Sequence, residues 1–206
     1  NGAACTPCLP AIRLSRARAF TFMDFDGREV RVLVVQVLGQ VRVWCEAAEI
    51  ELGSPGQRAV FGLLVLAQGR PITRAEMVDA LWGEDPPRSA ANVVQTYVMH
   101  LRRLLEPARA ARAPSQRIRT IGDGYRLLAD DARVDLSRFR ELVATAERAE
   151  QRGAWKDAAT TLGEALGLWR GPALADLPAL ARHPWVVGLG LDRRRAVARY
   201  VDAMVA

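Results

Sequence analysis

The chain has 206 residues, of which half are hydrophobic and a quarter are charged, so it is long and apolar enough for one large folded domain or two small ones. No apolar run reaches the roughly 18 residues of a membrane span, and the N-terminal arginines interrupt any secretory signal, so we expect a cytoplasmic protein without membrane partners. The net charge of +6 is concentrated in residues 88–126, which carry eight arginines and two acidic residues. A basic stretch in an otherwise nearly neutral chain indicates a polyanionic partner.

Residues 1–30 show no sustained hydrophobic period, and we predict a disordered extension there. Cys5 and Cys8 form a C-x-x-C motif, but no second pair and no nearby histidine completes a tetrahedral metal site. We therefore expect no metal site and no cofactor, and an inert tail is the favoured interpretation of the motif. Together with Cys45 the cysteines are too few for a disulfide scaffold.

Residues 31–130 carry the signals of a winged helix-turn-helix domain. The β-branched run from Val34 to Trp44, with a break at Gly39, and the segment Ile50 to Leu52 predict two or three short antiparallel strands. Three helices are then expected behind the capping residues Ser54, Thr73 and Ser89, the third running to about residue 106. Two short strands, 117–121 and 125–128, flank a glycine-rich turn that is typical of a β-hairpin.

Residues 133–206 change to an all-helical pattern. Apolar stripes with helical spacing predict two antiparallel helices separated near Gly153, followed by a last helix after Pro184. Such a pair resembles one unit of a helical repeat of the tetratricopeptide type. The pattern reaches Ala206 without a cap, so the sequence predicts a helical domain that is cut short.

The third predicted helix carries the candidate recognition surface. Val94, Val98, Leu101 and Leu105 are spaced four, three and four residues apart and therefore form its core face. Amide, hydroxyl and guanidinium groups, which can read base edges in a major groove, lie opposite or beside that face, and no acid is among them. The predicted DNA-reading residues are Asn92, Gln95, Thr96, Met99, His100, Arg102 and Arg103. An ordinary solvated face is the alternative for such a helix taken alone.

The hairpin after this helix predicts contacts with the DNA backbone. A helix in the major groove with a β-hairpin along the phosphates is the winged-helix arrangement, and such contacts fix position rather than sequence. The residues assigned to the backbone and the wing are Arg88, Arg117, Arg119, Thr120, Tyr125 and Arg126, with Trp82 discussed below.

The motifs along the chain resemble those of the Streptomyces antibiotic regulatory protein (AfsR/SARP) family. The resemblance rests on Val37-Leu38-Gly39, Gly56-Gln57-Arg58, Leu81-Trp82-Gly83, the segment 92–105, Gly124-Tyr125, and the segments 165–171 and 174–177. It covers roughly residues 34–206. It implies an OmpR-type winged helix followed by a bacterial transcriptional activation domain.

The resemblance also implies a function. Proteins of this family bind direct repeats near bacterial promoters, usually as side-by-side dimers, help to recruit RNA polymerase, and activate genes of secondary metabolism such as antibiotic biosynthesis. Trp82 would donate its indole N–H to a phosphate, although a core anchor between helices is an equally good interpretation. The acidic Asp123 at the wing tip departs from what phosphate contact favours.

Two other functions compete with DNA binding. An enzyme is disfavoured because the sequence contains no phosphate-binding glycine loop, no H-E-x-x-H and no nucleophile elbow, so we assign no catalytic residues. A protein-interaction module is the stronger alternative, because helix pairs like those predicted after residue 133 commonly stack into partner-binding surfaces. In that case DNA binding would be weak or lost.

Overall fold

The computed structural model describes residues 22–23, 29–30, 32–45, 48–110, 112–129 and 133–206. Within the N-terminal extension it describes only two short strands, β1 (Phe22–Met23) and β2 (Glu29–Val30), which pair antiparallel. The C-x-x-C motif and most of the segment predicted to be disordered lie outside the described residues. Among the described residues, no group of histidine, cysteine and acidic side chains could hold a metal ion.

The first sheet of the winged helix begins with strands β3 (Leu33–Gln36), β4 (Arg42–Cys45) and β5 (Ala48–Glu49), which pair antiparallel in sequence order. The predicted antiparallel strands are confirmed, but the third lies just before Ile50–Leu52. Ile50 donates its N–H to the Val43 carbonyl at 2.8 Å, so the pairing with β4 reaches only the first residue of the predicted segment.

Three helices follow: α1 (Pro55–Leu66), α2 (Arg74–Trp82) and α3 (Ala90–Leu105). Ser54 caps α1 by accepting the Gln57 N–H, and Thr73 and Glu76 form a reciprocal capping box at the start of α2. Ser89 occupies the N-cap position of α3 but its side chain makes no capping bond. The helix begins where predicted because its apolar face is buried, not because of its cap.

A second sheet forms the wing. Strands β6 (Ile72–Thr73), β7 (Ile118–Ile121) and β8 (Gly124–Leu127) pair antiparallel in the order β6-β8-β7. Gly122 and Asp123 form the two-residue turn between β7 and β8, and the predicted hairpin is confirmed. A Cβ on Gly124 would lie 2.2 Å from the Ile72 carbonyl oxygen, so only glycine allows β8 to approach β6 this closely.

The second half is helical, as predicted. After a short strand, β9 (Arg133–Val134), come α4 (Asp135–Gln151) and α5 (Trp155–Gly167), then a 3-10 turn (Pro178–Leu180) and α6 (Pro184–Val205). The fold class expected from the sequence, a winged helix followed by an all-α domain, is confirmed. None of the described helices is both long and apolar enough for a membrane crossing.

A buried carboxylate joins the two halves. Strand β9 pairs parallel with β3, and it delivers Asp135, which is 8% exposed, to the end of that strand. Its Oδ1 accepts the Val37 N–H at 3.0 Å, and its Oδ2 accepts the Leu38 N–H at 3.1 Å. Arg170 lies 3.4 Å from the same carboxylate. Burial raises the pKa of Asp135, whereas the amide donors and Arg170 act in the opposite direction.

The segment 170–176, which we call the strap, makes a second connection to the loop after β3. The N–H groups of Arg170, Leu174 and Ala175 donate to the carbonyls of Leu38, Val37 and Gly39 at 2.8–3.0 Å. In return, the Val41 N–H donates to Asp176 at 2.9 Å. The buried apolar residues of both halves form one continuous core. The helical half is therefore packed against the winged helix and not joined to it by a linker alone.

We predict that Asp135→Ala lowers the free energy of unfolding by about 2–4 kcal/mol, because it leaves two buried amide donors without an acceptor. Urea denaturation followed by circular dichroism measures the change. Asp202→Ala is the control, because Asp202 is exposed on α6. Equal stability of the two variants would contradict the assigned role of the carboxylate.

Candidate nucleic-acid interface

Helix α3 presents the predicted reading residues to solvent because its other face is buried. Val94, Val98 and Leu101 are at most 1% exposed and pack into the core. Their burial turns five of the predicted residues outward as exposed side chains: Asn92, Gln95, Thr96, Met99 and Arg103. His100 and Arg102 are half-buried at the edges of that face.

One groove between α3 and the wing collects half of the predicted site residues. The seven that line it are Asn92, Gln95, Thr96, Met99, Arg102, Thr120 and Tyr125. Thr120 and Tyr125 are cross-strand partners in the hairpin, so both side chains lie on the face that is turned toward α3. The groove is therefore polar, open to solvent and formed by elements that are adjacent only in the folded chain.

Arg102 ties the recognition helix to the wing. Its Nε donates to the Ile118 carbonyl at 2.9 Å, its Nη2 donates to Thr120 Oγ1 at 2.8 Å, and its guanidinium lies 5.6 Å from the centroid of the Tyr125 ring. Burial lowers the pKa of Arg102, but an arginine stays charged at neutral pH. These bonds occupy Arg102 inside the protein, so its main effect is on the position of the wing.

Arg103 differs from its neighbour. It is exposed on the outer face of α3, and no described residue forms a hydrogen bond or an ion pair with it. At about 100° per residue, Arg103 lies only about 20° from Asn92 around the helix axis. An arginine without a partner in the middle of an acid-free face is available to a phosphate or to a guanine edge.

Sequence reasoning missed the residues that hold the wing tip. Arg74, the first residue of α2, lines the same groove, and its Nε donates to the Asp123 carbonyl at 2.9 Å. The Arg74 N–H reaches the same carbonyl at 3.4 Å. Asp123 thus serves the wing through its backbone, which explains how an acidic residue is tolerated at the turn. No sequence signal connects residues 49 positions apart.

Glu106 fixes the loop between α3 and the wing, and it was also missed. Its carboxylate accepts the Ser115 hydroxyl, the Gln116 N–H at 2.6 Å and the Arg117 N–H at 3.2 Å. Ser115 is buried and accepts the Ile118 N–H in turn. One acid at the end of α3 therefore sets where β7 begins.

The remaining predicted wing residues do not line the groove. Arg119 and Arg126 stand directly opposite each other in the hairpin, on the face turned away from Tyr125. Arg126 borders a separate depression beside Gln68 and Ser137. Two like charges directly opposite each other in a hairpin are unfavourable, so this face of the wing is positively charged without compensation across the strand pair.

Three further residues complete the predicted set. Arg88 is exposed in the loop before α3, and Arg117 is half-buried at the start of β7. Trp82 is half-buried and packs against the hydrophobic core, which supports the anchor interpretation without testing a contact with phosphate.

Comparison with known proteins supports the resemblance. The family model described as "Transcriptional regulatory protein, C terminal" matches residues 48–127, and "Bacterial transcriptional activator domain" matches residues 134–206. The regulatory protein AfsR of Streptomyces coelicolor is 40% identical over 177 residues, which are 86% of this chain and 17% of AfsR. The regulatory protein DnrI of Streptomyces peucetius is 38% identical over 59% of this chain and 46% of its own length.

The chain belongs to the AfsR/SARP family of regulatory proteins.

A solved structure shares the fold of most of this chain. The structure titled Mycobacterium tuberculosis EmbR in complex with low affinity phosphopeptide superposes with a TM-score of 0.75 at 30% identity, over 85% of this chain and 46% of that one. The chain thus spans less than half the length of each of these AfsR/SARP relatives. The relatives are named as regulatory proteins rather than enzymes.

For this AfsR/SARP protein we predict that Arg102→Ala lowers the free energy of unfolding by about 1–2 kcal/mol, because it removes two hydrogen bonds between α3 and the wing. Arg103→Ala is the matched control and should stay within about 0.5 kcal/mol of the parent. Urea titrations of both variants measure the difference. A loss of equal size in the two variants would show that Arg102 does not position the wing.

Proposed function

We propose that the protein is a sequence-specific regulator that binds double-stranded DNA with α3 in the major groove and the wing along the backbone. The observation that carries this proposal is the groove itself, in which an acid-free helix face and the wing converge beside the unpaired Arg103. Amide, hydroxyl and guanidinium groups on one helix face supply the donors and acceptors that distinguish base pairs.

We infer three roles for the site residues. Asn92, Gln95 and Thr96 are exposed on the first half of α3 and read base edges. Arg103 binds a phosphate or a guanine edge, and the phosphates are held by Arg88, Arg117, Arg119 and Arg126. Arg102, Tyr125 and Trp82 act from within the protein and fix the angle between the helix and the wing.

The family supports a finer proposal. We infer that the protein activates promoters of secondary-metabolite genes, such as antibiotic biosynthesis genes, that carry direct repeats. It binds the repeats as a dimer and engages RNA polymerase through the helical half. The fusion of the two halves into one core supports this division of labour, because a partner bound to the helices is then held at a fixed orientation to the DNA.

The first experiment is a mobility-shift selection on random genomic duplex fragments at about 50 and 200 mM salt, followed by sequencing of the retained fragments. We expect retention that falls steeply with salt and a repeated motif among the survivors. No retention at either salt concentration would overturn the proposal. Retention without any shared motif would leave a general DNA-binding protein and would refute specific regulation.

We predict that Arg103→Ala weakens binding to the selected fragment by about 1–3 kcal/mol, because it removes a charged contact that nothing inside the protein replaces. Gln95→Ala should instead change which fragments are selected. Arg182→Ala is the charge-matched control, because Arg182 is exposed in the helical half. If Arg103→Ala and Arg182→Ala weakened binding equally, the effect would come from the loss of one positive charge and not from the position of Arg103.

A second candidate function is docking of a protein on the helical half alone. It is favoured by α6, whose outward face exposes Val187, Leu191 and Val201 at 42–53% while Leu189, Ala196 and Ala203 are buried on the other face. Contact through these apolar side chains would be insensitive to salt, whereas DNA binding through arginines would not.

A further inference from the structure

A pocket opens in the helical half, away from the recognition groove. It lies between α6 and residues 172–181, and it has a volume of about 660 Å³, which is within the range of sites for small organic molecules. Its walls are largely apolar and include Trp169, Leu177, Val186 and Val197. Nothing in the proposed contact with DNA uses this space.

The polar groups at the pocket are positively charged. Arg193 and Arg194, on α6, are the charged side chains among the residues that line it, and no acid lines it. The Arg193 guanidinium lies 5.2 Å from the centroid of the Trp169 ring, and no described residue forms an ion pair with either arginine. An apolar cavity with two unneutralised guanidinium groups is complementary to a molecule that has an apolar body and an anionic group.

Trp169 forms one wall of the pocket. It is 8% exposed, and its ring packs edge-on against Phe139 with 5.4 Å between centroids. Its indole N–H is buried and has no acceptor among the described residues. Because that nitrogen is closed off from solvent, a molecule in the pocket meets the apolar surface of the ring rather than the N–H.

The opposite wall is strained. Leu174 has a φ of +52°, which residues other than glycine rarely adopt. The Leu174 side chain packs against Gly62 of α1, so closely that a Cβ added to Gly62 would lie 3.3 Å from it. The Leu174 N–H donates to the Val37 carbonyl. Unusual backbone conformations of this kind cluster at functional sites. The strained residue is shared between the pocket and the contact with the winged helix.

We propose that this pocket binds a small organic anion with an apolar body, whose carboxylate or sulfonate pairs with Arg193 and Arg194. The volume, the apolar walls and the two guanidinium groups each support such a ligand, and the proposal does not depend on binding to DNA. A bound molecule would contact the wall that carries Leu174, and so would touch the junction between the two halves.

The test uses 8-anilinonaphthalene-1-sulfonate, an aromatic anion whose fluorescence rises in apolar sites, with decanoate as competitor and decanol as its neutral counterpart. We expect saturable binding of the probe, displacement by decanoate, and displacement by decanol only at about tenfold higher concentration, because a charged hydrogen bond is lost. In Arg194→Gln, the concentrations of decanoate and decanol that displace the probe should lie closer together than in the parent protein.

The decisive pair of variants is Gly190→Leu and Gly188→Leu. Both glycines lie on α6 with open space where a Cβ would stand, but only Gly190 lines the pocket. We expect Gly190→Leu to fill the pocket and abolish probe binding, and Gly188→Leu to bind as the parent does. Near-ultraviolet circular dichroism confirms that both are folded, because loosened proteins also bind this dye. Equal probe binding by the two variants, or equal displacement by decanol and decanoate, would overturn the proposal.

Discussion

The architecture depends on one carboxylate. Asp135 lies at the point where the chain leaves the winged helix and begins α4. Its carboxylate accepts the two N–H groups that follow β3. Those amides would otherwise be buried without partners, since the strand has ended and the core closes over them. The same residue therefore binds the end of the first sheet, is the first residue of α4 and faces Arg170 of the strap. A buried acid, together with the strap, thus helps the helical half and the winged helix to share one core.

The recognition groove depends on a comparable set of tertiary contacts. The side chains of α3 are aimed by ordinary helix burial. The wing is positioned by the pairing of β8 with β6, and by Arg102, Glu106 and Arg74, which hold β7, the loop before it and the wing tip. None of the three needs to contact a base. Their role is to keep Thr120 and Tyr125 at a constant distance from the reading face, so that one rigid groove, rather than a helix and a loose hairpin, meets a ligand.

Local signals in the sequence were sufficient for the elements and for one face of the site. Capping residues and 3.6-residue periodicity located α1 to α3, and the same periodicity separated Arg103 from Val98 and Leu101. The contacts that assemble the elements were beyond such signals, because Arg74 meets Asp123 from 49 residues away and Asp135 meets Val37 from 98. For the same reason Arg102 and Arg103 look equivalent in the sequence. Only the position of the wing distinguishes them: Arg102 bonds to it, whereas Arg103 has no ion-pair partner among the described residues.

Gly124 has a wider consequence for the wing. Along β8, Tyr125 faces α3 and Arg126 faces away, so a slip of one residue would bring a guanidinium into the groove and turn the aromatic ring out. Residue 124 sits so close to the Ile72 carbonyl that any side chain carried there by a slip would collide with it. The absence of a side chain at Gly124 thus fixes the register of β8 against β6. Substitutions can accumulate on both faces of the hairpin without exchanging them, which lets the outer charge and the inner packing evolve separately.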